Sequence, residues 1–318
     1  MLLETFKALG LDKAWGDHHS FEFQVNGRAN AEILQALNTA GDVHYHPCPE
    51  AFEVAGVEKG LVHVFRDWSE GRFYPQAQRK FSVYVPALRS ANARPENLLV
   101  FNDGDGYLSS KGSVRAANVL DNLIATGAIP ATVAVFVNPG IPKGIVVTKN
   151  ARPDPIANQQ RSFEYDSCTP NYVEFLCQEL LPFVTKELGL NLSENPSNRG
   201  ICGISSGGIC AFNAAWHRPD GFGNVISHCG SFTNIRGGHN YPYLIRSTER
   251  KDLKVFLQSG EMDAQIVTGS WPLANQQIAS ALEFAGYEYQ FEFGTGGHNL
   301  RHGGALFAET LRWLWPAS

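Results

Sequence analysis

The sequence predicts an α/β fold in which a mainly parallel sheet is covered by helices on both faces. Continuous apolar runs of strand length alternate with segments of helical period, as they do where strands are buried on both faces. Two segments that alternate apolar and polar residues precede these runs, which is typical of half-buried antiparallel strands. The chain of 318 residues is longer than a typical single domain, yet α/β folds often hold that length in one core.

The antiparallel pair comprises residues 60–68 and 79–87, and the segment between them can turn the chain. Six further strands follow along the chain. They are residues 97–102, 131–138, 199–204, 223–230, 253–260 and 287–294. An antiparallel pair that leads into a mainly parallel, helix-covered sheet is the order of elements in the α/β-hydrolase fold. In open sheets of this kind, chemistry takes place at the carboxyl ends of the strands.

Helices are predicted between and after these strands. Their ranges are 113–127, 169–190, 206–217, 272–285 and 304–315. The second of them opens with Thr169 as a candidate N-cap and Pro170 at the first helical position. Pro182 should kink this helix, because it lacks a backbone N–H. Residues 161–166, "RSFEYD", are expected to form a loop that either lines a pocket or holds a buried ion pair.

Composition and charge argue against several classes of protein. The formal net charge is −5 and no basic block exceeds isolated pairs, so we expect no nucleic-acid partner. No apolar stretch approaches the roughly 18 residues that cross a bilayer, so we expect no membrane association. The N-terminus lacks the pattern of a secretory signal. We therefore expect a cytoplasmic protein, or a periplasmic or secreted one if a signal peptide has been removed.

The segment "RGICGISSGGICAF", residues 199–212, joins an apolar strand to a helical segment through a glycine-rich turn. The pentapeptide GISSG within it fits G-x-S-x-G, the nucleophile elbow. A strand that reverses sharply into a helix strains the central serine, so the residues two before and two after it must be small. Centring the motif on Ser206 would place Ile204 at one of those positions. We therefore expect Ser205 to be a nucleophile.

A serine hydroxyl needs a base within hydrogen-bond reach, and that base is in turn oriented by a carboxylate. In this fold the chain order is serine, acid, histidine. The glycine-rich loop after the last strand carries two histidines, of which we favour His298, directly after the strand, over His302, nearer the next helix. The loop after strand 253–260 carries two carboxylates, and we favour Asp263 over Glu261 because it is shorter and lies further into the loop.

Two backbone N–H groups are needed to stabilise an oxyanion. One is expected from Ser206, at a helix N-terminus, and the other from Asp105, in the glycine-containing turn after strand 97–102. Three aromatic residues are expected near the mouth of the pocket, where they would suit a phenolic or sugar-bearing ester. They are Tyr107, Tyr165 and Trp271.

Three stretches resemble the putative-esterase family, which includes enterochelin esterases, S-formylglutathione hydrolases, feruloyl esterases and mycolyltransferases. They are "NRGICGISSGGICAFNAAWHRPDGFGNVISHCGSF", "FLQSGEMDA" and "FEFGTGGHNLRHGGALFAETLRWLW". They resemble the family's nucleophile-elbow, G-x-x-D and G-G-H signatures, and so imply roles for Ser205, Asp263 and His298. The resemblance covers roughly residues 60–318. It departs from the family in "NDGDG", which has Asp-Gly where many members carry His-Gly.

These features predict a serine ester hydrolase that acts on a small-molecule carboxylic ester through an acyl-enzyme intermediate. Two alternatives stay open. An acyltransferase would use the same residues with a sugar or thiol acceptor in place of water. A catalytically inert hydrolase fold would serve binding alone.

The sequence divides into residues 59–318, the predicted catalytic domain, and residues 1–58, an appendage of unassigned role. The appendage contains one segment of helical pattern, residues 30–41, and could cap the pocket or mediate a homodimer. His44 and His46 share one face of an extended segment, but no further metal ligand has suitable spacing. We therefore expect neither a metal ion nor an organic cofactor.

Overall fold

A computed structural model of the protein describes residues 41–89, 95–144 and 155–316, with two short strands at 24–25 and 28–29. The helix predicted over 30–41 lies outside the described residues, apart from Gly41 at its end. None of the described helices combines the length and the apolar character that a bilayer span requires.

The strands occur where continuous or alternating apolar patterns predict them. In chain order they are β1 (Gln24–Val25), β2 (Arg28–Ala29), β3 (Leu61–Trp68), β4 (Ala77–Val85), β5 (Asn97–Asn102), β6 (Thr132–Val137), β7 (Ile141–Pro142), β8 (Arg199–Ile204), β9 (Asn224–His228), β10 (Lys254–Met262), β11 (Gln265–Ile266), β12 (Gly269–Ser270) and β13 (Glu288–Gly297). All eight predicted strands are present, with ends displaced by a few residues at most.

Most of these strands belong to one sheet. Its order is β13-β10-β9-β8-β5-β6-β4-β3, and β7 pairs with β4. Neighbours from β13 to β6 are parallel, whereas β4 pairs antiparallel with both β6 and β3. The predicted antiparallel pair is therefore β3 and β4, and the predicted mainly parallel sheet is confirmed. At the N-terminus, β1 and β2 form a second, two-stranded antiparallel pair.

The helices cover both faces of the sheet. They are α1 (Gly104–Leu108), α2 (Ala116–Ala125), α3 (Pro155–Tyr165), α4 (Asn171–Phe175), α5 (Leu181–Leu188), α6 (Ser206–His217), α7 (Tyr241–Ser247), α8 (Trp271–Phe284) and α9 (Arg301–Leu314). A π-helical turn, Leu176–Leu180, joins α4 to α5. Pro182 lies two residues after this turn in a continuous helical run, and the π-helical turn is where the hydrogen-bond ladder adjusts to its missing N–H.

The loop predicted over residues 161–166 is wrong, because all but the last of them belong to α3. Two charged residues of this helix form ion pairs with other parts of the chain. Glu164 binds the buried Arg79 through both carboxylate oxygens, at 2.9 and 3.0 Å. Arg161 binds Asp103 at 2.7 and 2.9 Å. The alternative of a buried ion pair therefore describes Glu164, within a helix rather than a loop.

Two apolar cores lie on opposite faces of the sheet. One contains side chains of α4 to α8, and the other contains side chains of α2 and α9. Cys48 and Ala51 are buried in the second core, and Asn122 of α2 donates to the carbonyls of Glu50 and Phe52, both at 2.8 Å. The end of the N-terminal segment thus packs on the main body, and the domain boundary at residue 58 stays a prediction.

Backbone strain lies along one edge of the sheet. Three adjacent strands, β9, β8 and β5, are each followed by a residue other than glycine with positive φ. These are Cys229 (φ 46°), Ser205 (φ 58°) and Asp103 (φ 53°). Such conformations cost of order 1–3 kcal/mol each and cluster at functional sites. The carboxyl edge of the parallel strands is therefore the place to look for chemistry.

Candidate active site

Ser205 lies at the reversal between β8 and α6, with φ 58° and ψ −124°. The reversal requires glycine on both sides of it. A Cβ at Gly203 would lie 2.1 Å from the carbonyl oxygen of Gly207, and a Cβ at Gly207 would lie 2.9 Å from Oδ2 of Asp103. The Ser205 N–H donates to the carbonyl of His228, at 2.9 Å. The structure thus has the strained elbow geometry that the GISSG motif predicts at Ser205.

Asp263 follows β10 and is fully buried. Its Oδ1 accepts from the Ala264 N–H at 2.7 Å, and its Oδ2 accepts from the Ser259 hydroxyl at 2.6 Å. Burial would raise the pKa of this carboxyl, but the charge and hydrogen bond of His298 outweigh burial, with help from Ser259 and Ala264. The pKa of Asp263 is therefore held below its ordinary value, and the carboxylate is ionised at neutral pH.

His298 connects the other two side chains. Its Nδ1 lies 2.6 Å from Oδ1 of Asp263, and its Nε2 lies 2.8 Å from Oγ of Ser205. The imidazole and the Trp271 ring pack in a T-shaped arrangement, with centroids 5.7 Å apart and planes at 82°. Trp271 in turn donates from Nε1 to Oγ of Ser231, at 3.2 Å, and that hydroxyl lies 3.3 Å from Oγ of Ser205. The side chains of these residues form one connected hydrogen-bonded and packed group.

The alternative histidine and carboxylate lie elsewhere. His302 is buried in the first turn of α9, where its Nδ1 lies 3.2 Å from Nε2 of Gln258 and its ring stacks on Tyr45. Burial lowers the pKa of His302, although Asp42 opposes this. Glu261 is exposed at the end of β10. The structure therefore brings His298 and Asp263 to Ser205, and not His302 or Glu261.

The two expected oxyanion donors differ in their surroundings. Ser206 is the first residue of α6, so its N–H has no acceptor within the helix. The N–H of Asp105 donates to Oδ1 of Asn138, at 3.1 Å, and the Asp105 carboxylate binds Lys80. Asp105 can therefore serve an oxyanion only if its N–H exchanges Asn138 for that oxygen.

All three expected pocket aromatics are buried, and two of them lie away from Ser205. Tyr107 is fully buried, and its hydroxyl lies 2.9 Å from Nδ1 of His228. Tyr165 is also buried, and its hydroxyl accepts from the Asp103 N–H at 3.2 Å. Each tyrosine buries its ring in the core and places its hydroxyl against a residue at the end of a strand, His228 or Asp103. A large apolar ring with one polar atom is suited to such a position. Trp271 alone of the three contacts the side chains around Ser205.

Several residues of the site have no motif of their own. The hydroxyls of Ser231 and Ser259 contact Ser205 and Asp263, and Asp103 pairs with Arg161 beside the elbow. A polar residue at position 259 of an apolar strand is a signal that sequence inspection could have used. The other contacts join segments far apart in the chain, so no local pattern indicates them.

One group of potential metal-ligating side chains occurs in the described part of the chain. It comprises Cys229, Asp263 and His298, whose ligand atoms lie within 4.8 Å of one another. Asp263 and His298 are already hydrogen-bonded to each other, and burial raises the pKa of the Cys229 thiol well above its ordinary value. This group does not include His44 or His46.

Comparison with known proteins agrees with this architecture. A relative, the iron(III) enterobactin esterase of Dickeya dadantii (strain 3937), is 28% identical over 140 residues, which cover 38% of this chain and 30% of that protein. Solved structures with a similar fold include the enterobactin esterase of Shigella flexneri, with TM-score 0.63 and 20% identity over 85% of this chain and 60% of that one. Another is the ferulic acid esterase of Anaeromyces mucronatus, with TM-score 0.61 and 17% identity over 84% of this chain and 95% of that one.

The chain therefore has the α/β-hydrolase fold, as expected from the order of its elements. It matches less than a third of the length of the curated relative and about 60% of the Shigella enzyme. The model of the family described as "Putative esterase" matches residues 74–314, most of the chain. The protein belongs to the putative esterase family.

Proposed function

We propose that this protein hydrolyses carboxylic esters through an acyl-enzyme formed on Ser205. One observation carries the proposal: Nε2 of His298 lies 2.8 Å from Oγ of Ser205 while Nδ1 lies 2.6 Å from a buried carboxylate. A base within hydrogen-bond reach of a hydroxyl, itself oriented by a third group, is the arrangement that activates a serine. Membership of the esterase family supports the same chemistry.

In the first half of the reaction, Oγ of Ser205 attacks the ester carbonyl as His298 Nε2 takes the hydroxyl proton. The tetrahedral intermediate collapses, and His298 returns that proton to the leaving alcohol. Water then attacks the acyl-enzyme, again giving a proton to His298, and Ser205 leaves with that proton restored. The products are the carboxylic acid and the alcohol, so one water is consumed.

Asp263 would orient the imidazole and stabilise its protonated form. The depressed pKa of Asp263 supports this role, since a carboxylate that stays ionised favours a positive charge on His298. Its second oxygen is fixed by Ser259, so the carboxylate cannot rotate freely. Trp271 packs on the imidazole in a T-shaped arrangement and so limits its movement.

The oxyanion would be stabilised by the Ser206 N–H and by a second N–H from the turn after β5. We propose Asp105 as the second donor. Its N–H must then release Oδ1 of Asn138 and donate to the oxyanion instead. Each such donor is worth about 3–4 kcal/mol of barrier. The N-terminus of α6 adds a favourable dipole at the same place.

Similar structures were solved in the presence of enterobactin and in complex with ferulic acid, and we propose an ester with an aromatic acyl group as the substrate of this protein. All three predicted aromatics are buried, but the Trp271 ring packs on His298, whereas the hydroxyls of Tyr107 and Tyr165 contact His228 and the Asp103 N–H. A panel of acetyl, feruloyl, catecholate and thioester substrates would rank acyl groups by kcat/KM.

The test of the nucleophile is Ser205→Ala against Ser206→Ala. We expect Ser205→Ala to lower kcat for p-nitrophenyl acetate by about 10⁶-fold. Ser206→Ala keeps its backbone N–H and should stay within about threefold of the wild type. Full activity in Ser205→Ala would contradict the proposal, provided that both variants unfold at the wild-type temperature.

The same assay separates hydrolysis from acyl transfer. With a competing alcohol, sugar or thiol present, hydrolysis yields the free acid, whereas transfer yields a new ester or thioester. We expect the free acid as the main product. Absence of turnover on every ester tested, with Ser205 unreactive, would instead indicate a binding protein.

A further inference from the structure

The carboxylate of Asp42 contacts the residues on both sides of His298. Its Oδ1 accepts the backbone N–H of Gly297 at 3.1 Å, and its Oδ2 accepts the side-chain amide of Asn299 at 2.7 Å. Asp42 is only 2% exposed. It precedes Gly297 and Asn299 by more than 250 residues in the sequence. A buried carboxylate with charge-assisted hydrogen bonds to a loop fixes that loop more firmly than neutral contacts do.

Other contacts between residues 41–45 and the loop reinforce this attachment. The Tyr45 hydroxyl accepts the Thr295 N–H at 3.1 Å, and the Thr295 hydroxyl donates to the carbonyl of Gly41 at 2.9 Å. The Tyr45 ring stacks on His302, with centroids 4.1 Å apart. We call residues 41–45 the N-terminal clasp.

The glycines in the last part of β13 allow the clasp to approach. A Cβ at Gly294 would lie 2.1 Å from the Tyr45 hydroxyl, and a Cβ at Gly296 would lie 3.1 Å from Oδ1 of Asp42. A Cβ at Gly41 would lie 1.8 Å from the carbonyl oxygen of Thr295. Loop and clasp are therefore fitted to each other at the level of the backbone.

We propose that Asp42 is a positioning residue, which holds the backbone around His298 so that the imidazole stays in line between Ser205 and Asp263. The inference rests on the proposed role of His298 as the base. Asp42 touches neither Ser205 nor the imidazole in the contacts described above, so it acts through residues 297 and 299. The clasp, residues 41–45, is then part of the catalytic unit.

The direct test is Asp42→Asn. An asparagine can still accept from Gly297, but its amide then faces the amide of Asn299, donor against donor. Rotating the Asn299 amide would remove the acceptor of the Arg301 N–H, which lies 2.8 Å from Oδ1 of Asn299. We expect kcat for p-nitrophenyl acetate to fall about 10- to 100-fold, with KM within about twofold of the wild type.

The reciprocal variant Asp42→Asn/Asn299→Asp serves as the rescue. In it the amide at position 42 donates to a carboxylate at position 299, and that carboxylate can still accept from Arg301. We expect kcat to return to within about threefold of the wild type. A role in packing alone predicts a loss of stability in Asp42→Asn without the fall in kcat and its rescue.

Asp121→Asn is the matched control. Asp121 also accepts a backbone N–H from a distant segment, that of Gly60 at 2.8 Å, and a hydroxyl, that of Tyr84 at 2.6 Å, but it lies on α2 away from Ser205. Its replacement should lower the melting temperature and leave kcat unchanged. If Asp42→Asn does not fold, Tyr45→Phe tests the inference in its place. This variant removes the hydroxyl that accepts the Thr295 N–H, and we expect it to lower kcat.

Unchanged kcat in folded Asp42→Asn, or in Tyr45→Phe in its place, would overturn the inference. Labelling of Ser205 by a fluorophosphonate keeps this separate from the proposed function. If Ser205 is labelled in the wild type and Asp42→Asn is labelled at the same rate, only the positioning role fails. If Ser205 is not labelled in the wild type, the proposed function itself fails.

Discussion

At the scale of single residues, the two carboxylates around the end of β10 differ in what surrounds them. Glu261 is exposed, whereas Asp263 is fully buried and bound by Ser259, Ala264 and His298. A carboxylate in water is screened and free to rotate, so it orients a neighbour poorly. Burial with three hydrogen-bond donors is what separates the acid from its neighbour two residues away.

We expect Asp263→Asn to lower kcat by about 10⁴-fold, because the amide cannot hold His298 in the required tautomer or stabilise its charge. Glu261→Gln is the matched control and should stay within about twofold of the wild type. Kinetics on p-nitrophenyl acetate compares the two. A large loss in Glu261→Gln together with a small one in Asp263→Asn would reverse the assignment.

Sequence reasoning located Ser205 because the elbow has a local steric rule. A strained serine needs small residues two positions away, and both glycines are visible in the sequence. Asp42 has no such rule. Its partners, Gly297 and Asn299, lie more than 250 residues further along the chain, and no local pattern around Asp42 points to them. Only tertiary structure brings these residues together.

At the scale of elements, strands were easier to predict than helices. The buried strands are continuous apolar runs, so their positions followed from the sequence with errors of a few residues. The sequence does not indicate helix α3, because charged residues occupy positions that face the protein interior. Glu164 of α3 is buried against Arg79 of β4, so the helix lacks a clear amphipathic pattern. Buried ion pairs of this kind break the rule that polar residues face water.

The loop before α9 shows a second limit of sequence patterns. The sequence predicts a glycine-rich loop between the last strand and this helix, with His298 on it. In the structure the same glycines admit the N-terminal clasp at close range, so the loop is held by hydrogen bonds to Asp42 and Tyr45. Glycine is required either where another segment approaches the backbone closely or where the backbone conformation is unusual. The sequence alone does not distinguish these two cases.

At the scale of the whole molecule, the sheet sets the geometry of the site. Ser205 follows β8, Asp263 follows β10 and His298 follows β13, all at the carboxyl edge of parallel strands. The strained residues after β9, β8 and β5 are held there by the ladder and by two cores. Side chains that are far apart in sequence meet at this edge, so the order of the strands predicts where the chemistry takes place. Which of these side chains contact one another depends on tertiary packing.

The stability of the whole chain should fall in mild acid because of His228. This residue is fully buried, and burial, with a smaller contribution from His302, lowers its pKa to about 3. In the unfolded chain a histidine takes up a proton below about pH 6.5, so the unfolded state binds more protons between pH 6.5 and 3. The free energy of unfolding should therefore drop by about 1.4 kcal/mol per pH unit in that window from this group alone.

Urea unfolding at pH 7, 6 and 5 measures this slope. His228→Gln, which keeps a polar group beside Tyr107 but cannot be protonated, should flatten the slope by the share of one histidine. His239→Gln, at an exposed position, is the control and should leave the slope unchanged. An identical slope in wild type and His228→Gln would contradict the account of the buried imidazole.

The central claim is that Ser205 is a nucleophile activated by His298 and Asp263. The most direct measurement is labelling of the native chain with a fluorophosphonate, followed by mass spectrometry of the peptide that contains residues 200–218. We predict one phosphonyl adduct per chain on Ser205, abolished by unfolding in urea and by His298→Ala. No adduct on the native chain, or an adduct on Ser206 or another residue in place of Ser205, would contradict the claim.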